Sequence, residues 1–323
     1  MKHFTVNEIN INIYKTIEVE VVGGSRPRLT FVHKDNKQRF FFKTYTHSPR
    51  EVWAECLASH VAELMGIRAQ RVTIKKAPKR LEAVLRDRFP TLLPDDWKAV
   101  GSLARNIFPK KVETTYGAAI VETPTKPLTL EVVEKKIISK YYAAEDLLQS
   151  YADMVVFYAL IGNMDRHHEN WGICTEQRYN QQLLLDKKQL VPLRYFTPLF
   201  DHGSSLMFEL SDEKVEEFLS NENKLINYVE KSKFGFILNT EGNKVNMLAI
   251  IEEHINANSS WGKRFKKSLE KVKQIDMLEL ASLVIKMPSI DLLEYDNKRR
   301  KLLYKSLLMR YNRLVGIFDG NSK

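Results

Sequence analysis

Cysteine is scarce in this chain: Cys56 and Cys174 are the two among 323 residues, and both stand among apolar neighbours. A disulfide framework is excluded, and reduced thiols in a core are expected. No uninterrupted apolar run approaches the roughly 18 residues a membrane helix needs. The stretch Val155 to Ile161 is short and reads as core. The first residues, Met1-Lys2-His3-Phe4-Thr5-Val6-Asn7-Glu8, lack the apolar centre of a secretory signal, so cytoplasmic synthesis is expected. There is no G-x-x-x-x-G-K-[ST] run, which argues against a P-loop NTPase, and no H-E-x-x-H or Cys-x-x-Cys pattern to support zinc. Internal repeats and low-complexity tracts are absent as well.

What is present is the composition of an ordinary globular protein, 44% hydrophobic and 28% charged. A chain of this length buries on the order of 75% of its unfolded surface, in one large domain or two lobes. The formal charge of +10 suits acidic partners, ATP among them, and would also favour nucleic acid or anionic lipid. The basic run Lys298-Arg299-Arg300-Lys301 reads as the solvated face of a helix whose inner side carries Leu302, Leu303, Leu307 and Leu314. Aromatic residues are interleaved with aliphatic ones, which points to a core and away from nucleic-acid stacking platforms.

The most informative stretch is Gly162-Asn163-Met164-Asp165-Arg166-His167-His168-Glu169-Asn170-Trp171. It places an aspartate five residues before an asparagine, the spacing of a phosphoryl-transfer loop in which the carboxylate takes the acceptor proton and the amide oxygen faces a phosphate-bound metal. Taken alone, such a match is more often a polar turn. Its surroundings add weight. Leu147, Leu148, Tyr151, Met154, Val155, Tyr158 and Ile161 recur at helical spacing and stop at Gly162, and Trp171 to Cys174 reads as a short strand. Further on, Tyr195 to Phe200 leads into Asp201-His202-Gly203, where a second metal-binding carboxylate is expected.

The N-terminal region supplies candidates for the nucleotide. Ile17 to Val22 alternates as a strand, turns at Gly23-Gly24-Ser25-Arg26-Pro27-Arg28, and resumes at Leu29 to Val32. Glycines in such a turn let backbone N–H groups approach phosphate, although a Gly-Gly hairpin by itself is usually only a turn. Lys43 ends the strand Arg39-Phe40-Phe41-Phe42-Lys43. A helix then begins with a capping box, Ser48 and Glu51, with Pro49 at its first position, and carries the stripe Val52, Cys56, Leu57, Val61, Leu64 and Met65 up to Gly66. Glu55 on that helix is the expected partner of Lys43, holding the ammonium against phosphates; a solvated lysine and a surface carboxylate are the plain alternative. Leu81 to Phe89 and Trp97 to Ile107 look helical, and Thr115 to Glu122 looks like a strand running into Thr123-Pro124-Thr125-Lys126-Pro127. Such a strand would offer the backbone of Glu122 and Thr123 to an adenine edge. Beyond Leu128, helices are expected at Val215 to Val229, Val245 to Ile255, Phe265 to Ile285 and Leu292 to Val315.

Taken together, the Gly23 to Arg28 turn, Phe42-Lys43, Glu55 with Leu57-Ala58 and Gly66-Ile67, the Asn163 to Asn170 loop and Pro198-Leu199-Phe200-Asp201 resemble the ordered motifs of HipA-like serine/threonine kinases, over about residues 17 to 206. The resemblance implies a two-lobed, protein-kinase-like α+β fold, with an antiparallel N-lobe sheet and helices in residues 1–123 and a mainly α-helical C-lobe in 124–323. By it, Asp165 is the catalytic base and Asn170 and Asp201 bind Mg²⁺. Lys43 with Glu55 and the loop Gly23, Gly24, Ser25 and Arg26 bind ATP. The implied acceptor is a Ser or Thr hydroxyl of a protein, the chain itself included, with nucleic acid an improbable partner. It also leaves room for export without a classical signal. Arg28 stands where HipA-like chains commonly carry lysine. The Asp-Arg-His-x-x-Asn order is similar to the catalytic loop of phosphoinositide kinases as well, so a lipid acceptor competes, and a non-catalytic basic binding module is the third alternative.

Overall fold

Alternating strands dominate the first hundred residues and longer apolar helices the rest. A computed structural model of the chain describes residues 6–20, 27–45, 48–93, 95–108, 112–123, 126–142, 144–163, 167–179, 190–231, 237–287 and 297–320. In order come β1 (Asn7–Glu8), β2 (Tyr14–Glu20), β3 (Arg28–His33), β4 (Arg39–Thr44), α1 (Arg50–Leu64), β5 (Val72–Lys76), α2 (Lys79–Arg88) and β6 (Val100–Arg105). Then follow β7 (Glu113–Tyr116), α3 (Gly117–Val121), β8 (Leu128–Thr129), α4 (Leu130–Lys140), α5 (Glu145–Ile161), β9 (Gly172–Tyr179) and β10 (Leu190–Phe196). The chain continues through α6 (Asp212–Ser220), α7 (Glu222–Lys231), β11 (Ile237–Leu238), α8 (Met247–Asn256), α9 (Ser260–Lys273), α10 (Met277–Ile285) and α11 (Asn297–Asp319). Two compact units emerge, one from Met1–Asn106, Asp201–Val229 and Gln274–Arg310, the other from Ile107–Phe200, Glu230–Lys273 and Tyr311–Lys323.

The first unit is built on a six-stranded sheet of order β1-β5-β6-β4-β3-β2, antiparallel except for the short β1 and β5 pair. Leu29, Phe31 and Phe42 are fully buried, and Leu29 lies opposite Phe42 across β3 and β4. Helix α1 starts as its sequence dictates: the Arg50 N–H donates to Ser48 Oγ at 3.3 Å, the Ser48 N–H donates to Glu51 Oε1 at 3.3 Å, and Gly66 ends it at φ +67°. It packs against β5, β6 and α10, so residues all around it are buried, Trp53 and Glu55 included, where the pattern predicted one apolar stripe. The expected helix at Trp97 to Ile107 is instead strand β6. Val100 to Ala104 are buried on both faces of a central strand, which erases the alternation that marks a half-buried one. Val215 to Val229 divides into α6 and α7 at Asn221.

In the second unit the buried helix α5 packs against α8, α9 and β10. Its C-terminal Gly162 adopts φ 60° and ψ 45° and donates its N–H to the Tyr158 carbonyl, the stop expected from sequence. Trp171 stacks on Phe196 at 5.6 Å and 4° between planes and meets the edge of Tyr151 at 5.1 Å, tying the β9 and β10 hairpin to α5. Strand β7 joins that hairpin in a sheet of order β10-β9-β7. It ends at Tyr116, and Gly117 to Val121 form helix α3, which corrects the strand expected to run on to Glu122. Gly117 permits this turn: a Cβ there would lie 2.2 Å from the Trp171 ring and 2.5 Å from the His168 carbonyl. The long helical stretch from Phe265 to Ile285 is two helices, α9 and α10. No helix among the described residues is long and apolar enough to cross a membrane, and both cysteines are buried and free.

Candidate active site

Strand β4 fixes Lys43 through its register, opposite Arg28 on β3 and Ser102 on β6. Because side chains alternate along a strand, burying Phe42 completely on one face sends Lys43 to the other. There its Nζ meets Asp201 Oδ1 at 3.3 Å, across 158 residues of sequence. The two side chains are 22% and 29% exposed, so this pair is open to a ligand and is not sealed in the core. Arg28 lays its guanidinium over the Phe41 ring at 4.6 Å.

Asp201 itself is held at φ +61°, a left-handed conformation that non-glycine residues rarely adopt. The residue after it is anchored: the His202 N–H donates to Glu55 Oε1 at 3.1 Å, and Ser205 Oγ donates to the His202 carbonyl at 2.6 Å. Glu55 is 2% exposed. The partner assignment made from sequence is thereby corrected. Lys43 pairs with Asp201, and Glu55 acts one residue further on, fixing the backbone of His202. Nothing in the spacing of Glu55 revealed this, because the bond goes to a main-chain group that any residue could supply. Lys43, Glu55 and Asp201 are thus brought together within the first unit.

Asn170 belongs to the second unit. It closes a single 3₁₀ turn, His168–Asn170, is 6% exposed, and donates its N–H to the His167 carbonyl at 3.1 Å. His167 Nδ1 accepts the Glu169 N–H at 3.3 Å. His168 is buried, with Nε2 3.2 Å from the Lys126 carbonyl, and burial pushes its pKa down. The neutral ring therefore donates Nε2–H to that carbonyl and its edge faces Trp171 at 6.3 Å. These contacts hold residues 167–170, the end of the motif.

Glu122 and Thr123 also lie in the second unit, and Glu122 caps α3 where an extended strand was expected. Glu122 takes φ +63°, and its exposed carboxylate is 2.5 Å from Lys136 Nζ and 3.5 Å from Lys140 Nζ, which lowers its pKa, the Lys136 hydrogen bond foremost. Thr123 Oγ1 accepts the Lys126 N–H at 3.2 Å. Gly23, Gly24, Ser25, Arg26 and Asp165 fall outside the described residues.

No known family profile and no curated protein matches the sequence. Among solved structures, the crystal structure of a Helicobacter pylori proinflammatory kinase CtkA matches with a TM-score of 0.70 over 98% of each chain, at 16% identity. The fold is kinase-like. At that identity the likeness establishes architecture: a mixed α+β chain with an N-terminal, mostly antiparallel sheet and a helical C-terminal part, as the motifs led one to expect.

Proposed function

We propose that the chain is an ATP- and Mg²⁺-dependent phosphotransferase of HipA-like type, acting on the Ser or Thr hydroxyl of a protein, itself included. The observation that carries this reading is the Lys43 and Asp201 pair, a partly exposed cation on β4 and a carboxylate joined at 3.3 Å in a kinase-like fold. Lys43 neutralises charge on the nucleotide phosphates. Asp201 offers a partly exposed carboxylate, a hard donor of the kind Mg²⁺ takes alongside phosphate oxygens and water, and Asn170 is assigned to the metal by motif. Bound there, the ion would offset the negative charge that builds on the phosphate oxygens. Glu55 keeps His202 in place and so steadies the carboxylate before it.

Asp165, assigned by the motif, aligns the acceptor hydroxyl and receives its proton. A bond forms from the acceptor oxygen to the γ-phosphorus as the bond to the bridging oxygen breaks, and ADP leaves. Nearly all of the catalysis is positioning and electrostatics. Gly23, Gly24, Ser25 and Arg26 are assigned by motif to covering the triphosphate, and Glu122 and Thr123 are assigned to the base from their place in the chain alone. A protein acceptor comes ahead of lipid because the Gly23 to Pro27 turn with Phe42-Lys43 is closer to HipA-like kinases than to lipid kinases.

Incubation with labelled ATP and Mg²⁺, followed by phosphoamino-acid analysis beside a lipid-vesicle control, tests the reading. Label is expected on Ser or Thr. Asp165→Asn should lower turnover by about a hundredfold to ten-thousandfold with nucleotide still bound, whereas Asp201→Ala should remove the Mg²⁺-dependent part of nucleotide binding. Full activity of the Asp165 variant would sink the assignment. Label confined to lipid would transfer it to the phosphoinositide alternative, and steeply salt-dependent nucleic-acid binding without ATP consumption would favour a binding module.

A further inference from the structure

The segment that follows Asp201 is tied down at both ends by one helix. At its start, Glu55 of α1 accepts the His202 N–H at 3.1 Å. At its end, Arg50 of the same helix donates to the Leu210 carbonyl at 2.7 Å and to Asp212 Oδ1 at 3.2 Å. A second arginine converges on the same two groups. Arg299 of α11, whose side chain is 5% exposed, donates Nη1 to the Leu210 carbonyl at 3.0 Å and Nε to Asp212 Oδ1 at 3.1 Å, with Nη2 on that oxygen too. The basic run read as a solvated helix face thus turns one of its arginines inward.

At Asp201 and between these ties the backbone is strained. Asp201, Leu206 and Met207 all take positive φ, at 61°, 58° and 59°, without being glycine. Such conformations persist only where the surroundings over-determine them. In switchable kinases the corresponding order comes from an added phosphate that pairs with arginines. Here a carboxylate of the chain itself occupies the arginine pair, and charge-assisted bonds of this kind are the strong ones.

We propose that Arg50, Arg299 and Asp212 form a built-in clamp that fixes the position of Asp201, so that this segment needs no phosphorylation to be ordered. The three are positioning residues, and their consequence for turnover rests on the kinase reading above. Asp212 stays ionised because the Arg299 hydrogen bond holds its carboxyl below the usual carboxylate range.

The test compares the full chain with Arg50→Gln, Asp212→Asn and Asp212→Glu by two readouts: amide hydrogen exchange across residues 202–210, and the Mg²⁺ concentration needed for half-maximal ATP turnover set against kcat. Roughly tenfold faster exchange confined to that segment is expected for Arg50→Gln and Asp212→Asn, with strands β3 and β4 unchanged and partial rescue by Asp212→Glu. A roughly tenfold rise in the Mg²⁺ requirement should accompany it, larger than the change in kcat. Phosphatase treatment of the wild-type chain should leave both readouts as they were. Unaltered exchange in 202–210, acceleration spread equally over the sheet, or loss of activity on phosphatase treatment would overturn the clamp. If Asp212→Asn fails to fold, Arg50→Gln, at a side chain 27% exposed, decides alone. A wild-type chain with no turnover would defeat the proposed function only, and the exchange measurement would still judge the clamp.

Discussion

Gly101 faces the strand that carries the candidate ATP lysine at closer range than any side chain allows. A Cβ built there would lie 2.4 Å from the Lys43 carbonyl oxygen and 2.6 Å from Cζ of Phe42, and neither can retreat, the first being backbone and the second the tip of a fully buried ring. Gly101→Ala should therefore displace β4, at a cost of about 1–3 kcal/mol of the kind measured for overpacked cores. Because the displaced residue is Lys43, nucleotide affinity should fall together with the urea midpoint. A variant with wild-type stability would show that the strands separate without strain. Single residues were legible in sequence where chemistry dictates position. Gly162 ends its helix as its type demands, and Cys56 proves a core thiol, its pKa pushed up to about 12 by burial. Glu55 was legible as important but not in its partner, and His202, Arg50 and Asp212 gave no signal, since a backbone donor or a surface-type residue carries no mark of what it will face.

At the level of elements, α4, α5 and α9 are joined by one guanidinium. Arg264, 9% exposed, holds Glu134 at 2.8 Å and forks onto Glu145 at 2.8 and 3.0 Å, while its plane lies over Trp261 at 5.0 Å. The fork holds the Glu145 carboxyl below its ordinary pKa, the hydrogen bond from Arg264 being the largest cause. A depressed folded-state value means that the stabilisation is complete above the unfolded carboxylate pKa of about 4. It is lost as pH falls through the lower folded value. Arg264→Gln should cost on the order of 2 kcal/mol, less than a sealed pair because Glu145 is largely exposed. It should also flatten the acid limb of a urea-midpoint titration, and an unchanged limb would remove Glu145 from the account. Elements with a strong period were readable before any coordinates: β2, β3, β4, α1, α5 and the C-terminal helices. Strand β6 was not, because a strand buried on both faces loses its alternation and Trp97 to Ile107 then imitates a helix. Helix α3 was missed for a different reason. Its five residues are too few to show a period, and what specifies it is the tertiary approach of Gly117 to Trp171.

Segments far apart in the sequence complete one unit of the fold. A boundary near residue 123 follows from the shift of pattern and the prolines beyond it, and the expectation of an N-terminal lobe and a C-terminal lobe is natural on that ground. Yet the unit that contains residues 1–106 is completed by Asp201–Val229 and Gln274–Arg310, a dependence that no local pattern could disclose. Helix α1 needs α10 against it, Glu55 needs His202, and Arg50 needs Leu210 and Asp212. A fragment comprising residues 1–123 would return part of α1 to water. Each large apolar side chain so exposed costs roughly 1.5–3 kcal/mol, and three or four offset most of the roughly 5–15 kcal/mol that holds a domain together. The buried Glu55 carboxylate would lose its N–H donor besides. The fragment should keep helical and strand signal in far-ultraviolet circular dichroism but lack a near-ultraviolet spectrum and a cooperative urea transition, whereas the full chain should show both. A sharp transition for the fragment, with the α1 amides protected from exchange, would mean that the sheet and α1 suffice by themselves, and that the returning segments serve Asp201 alone.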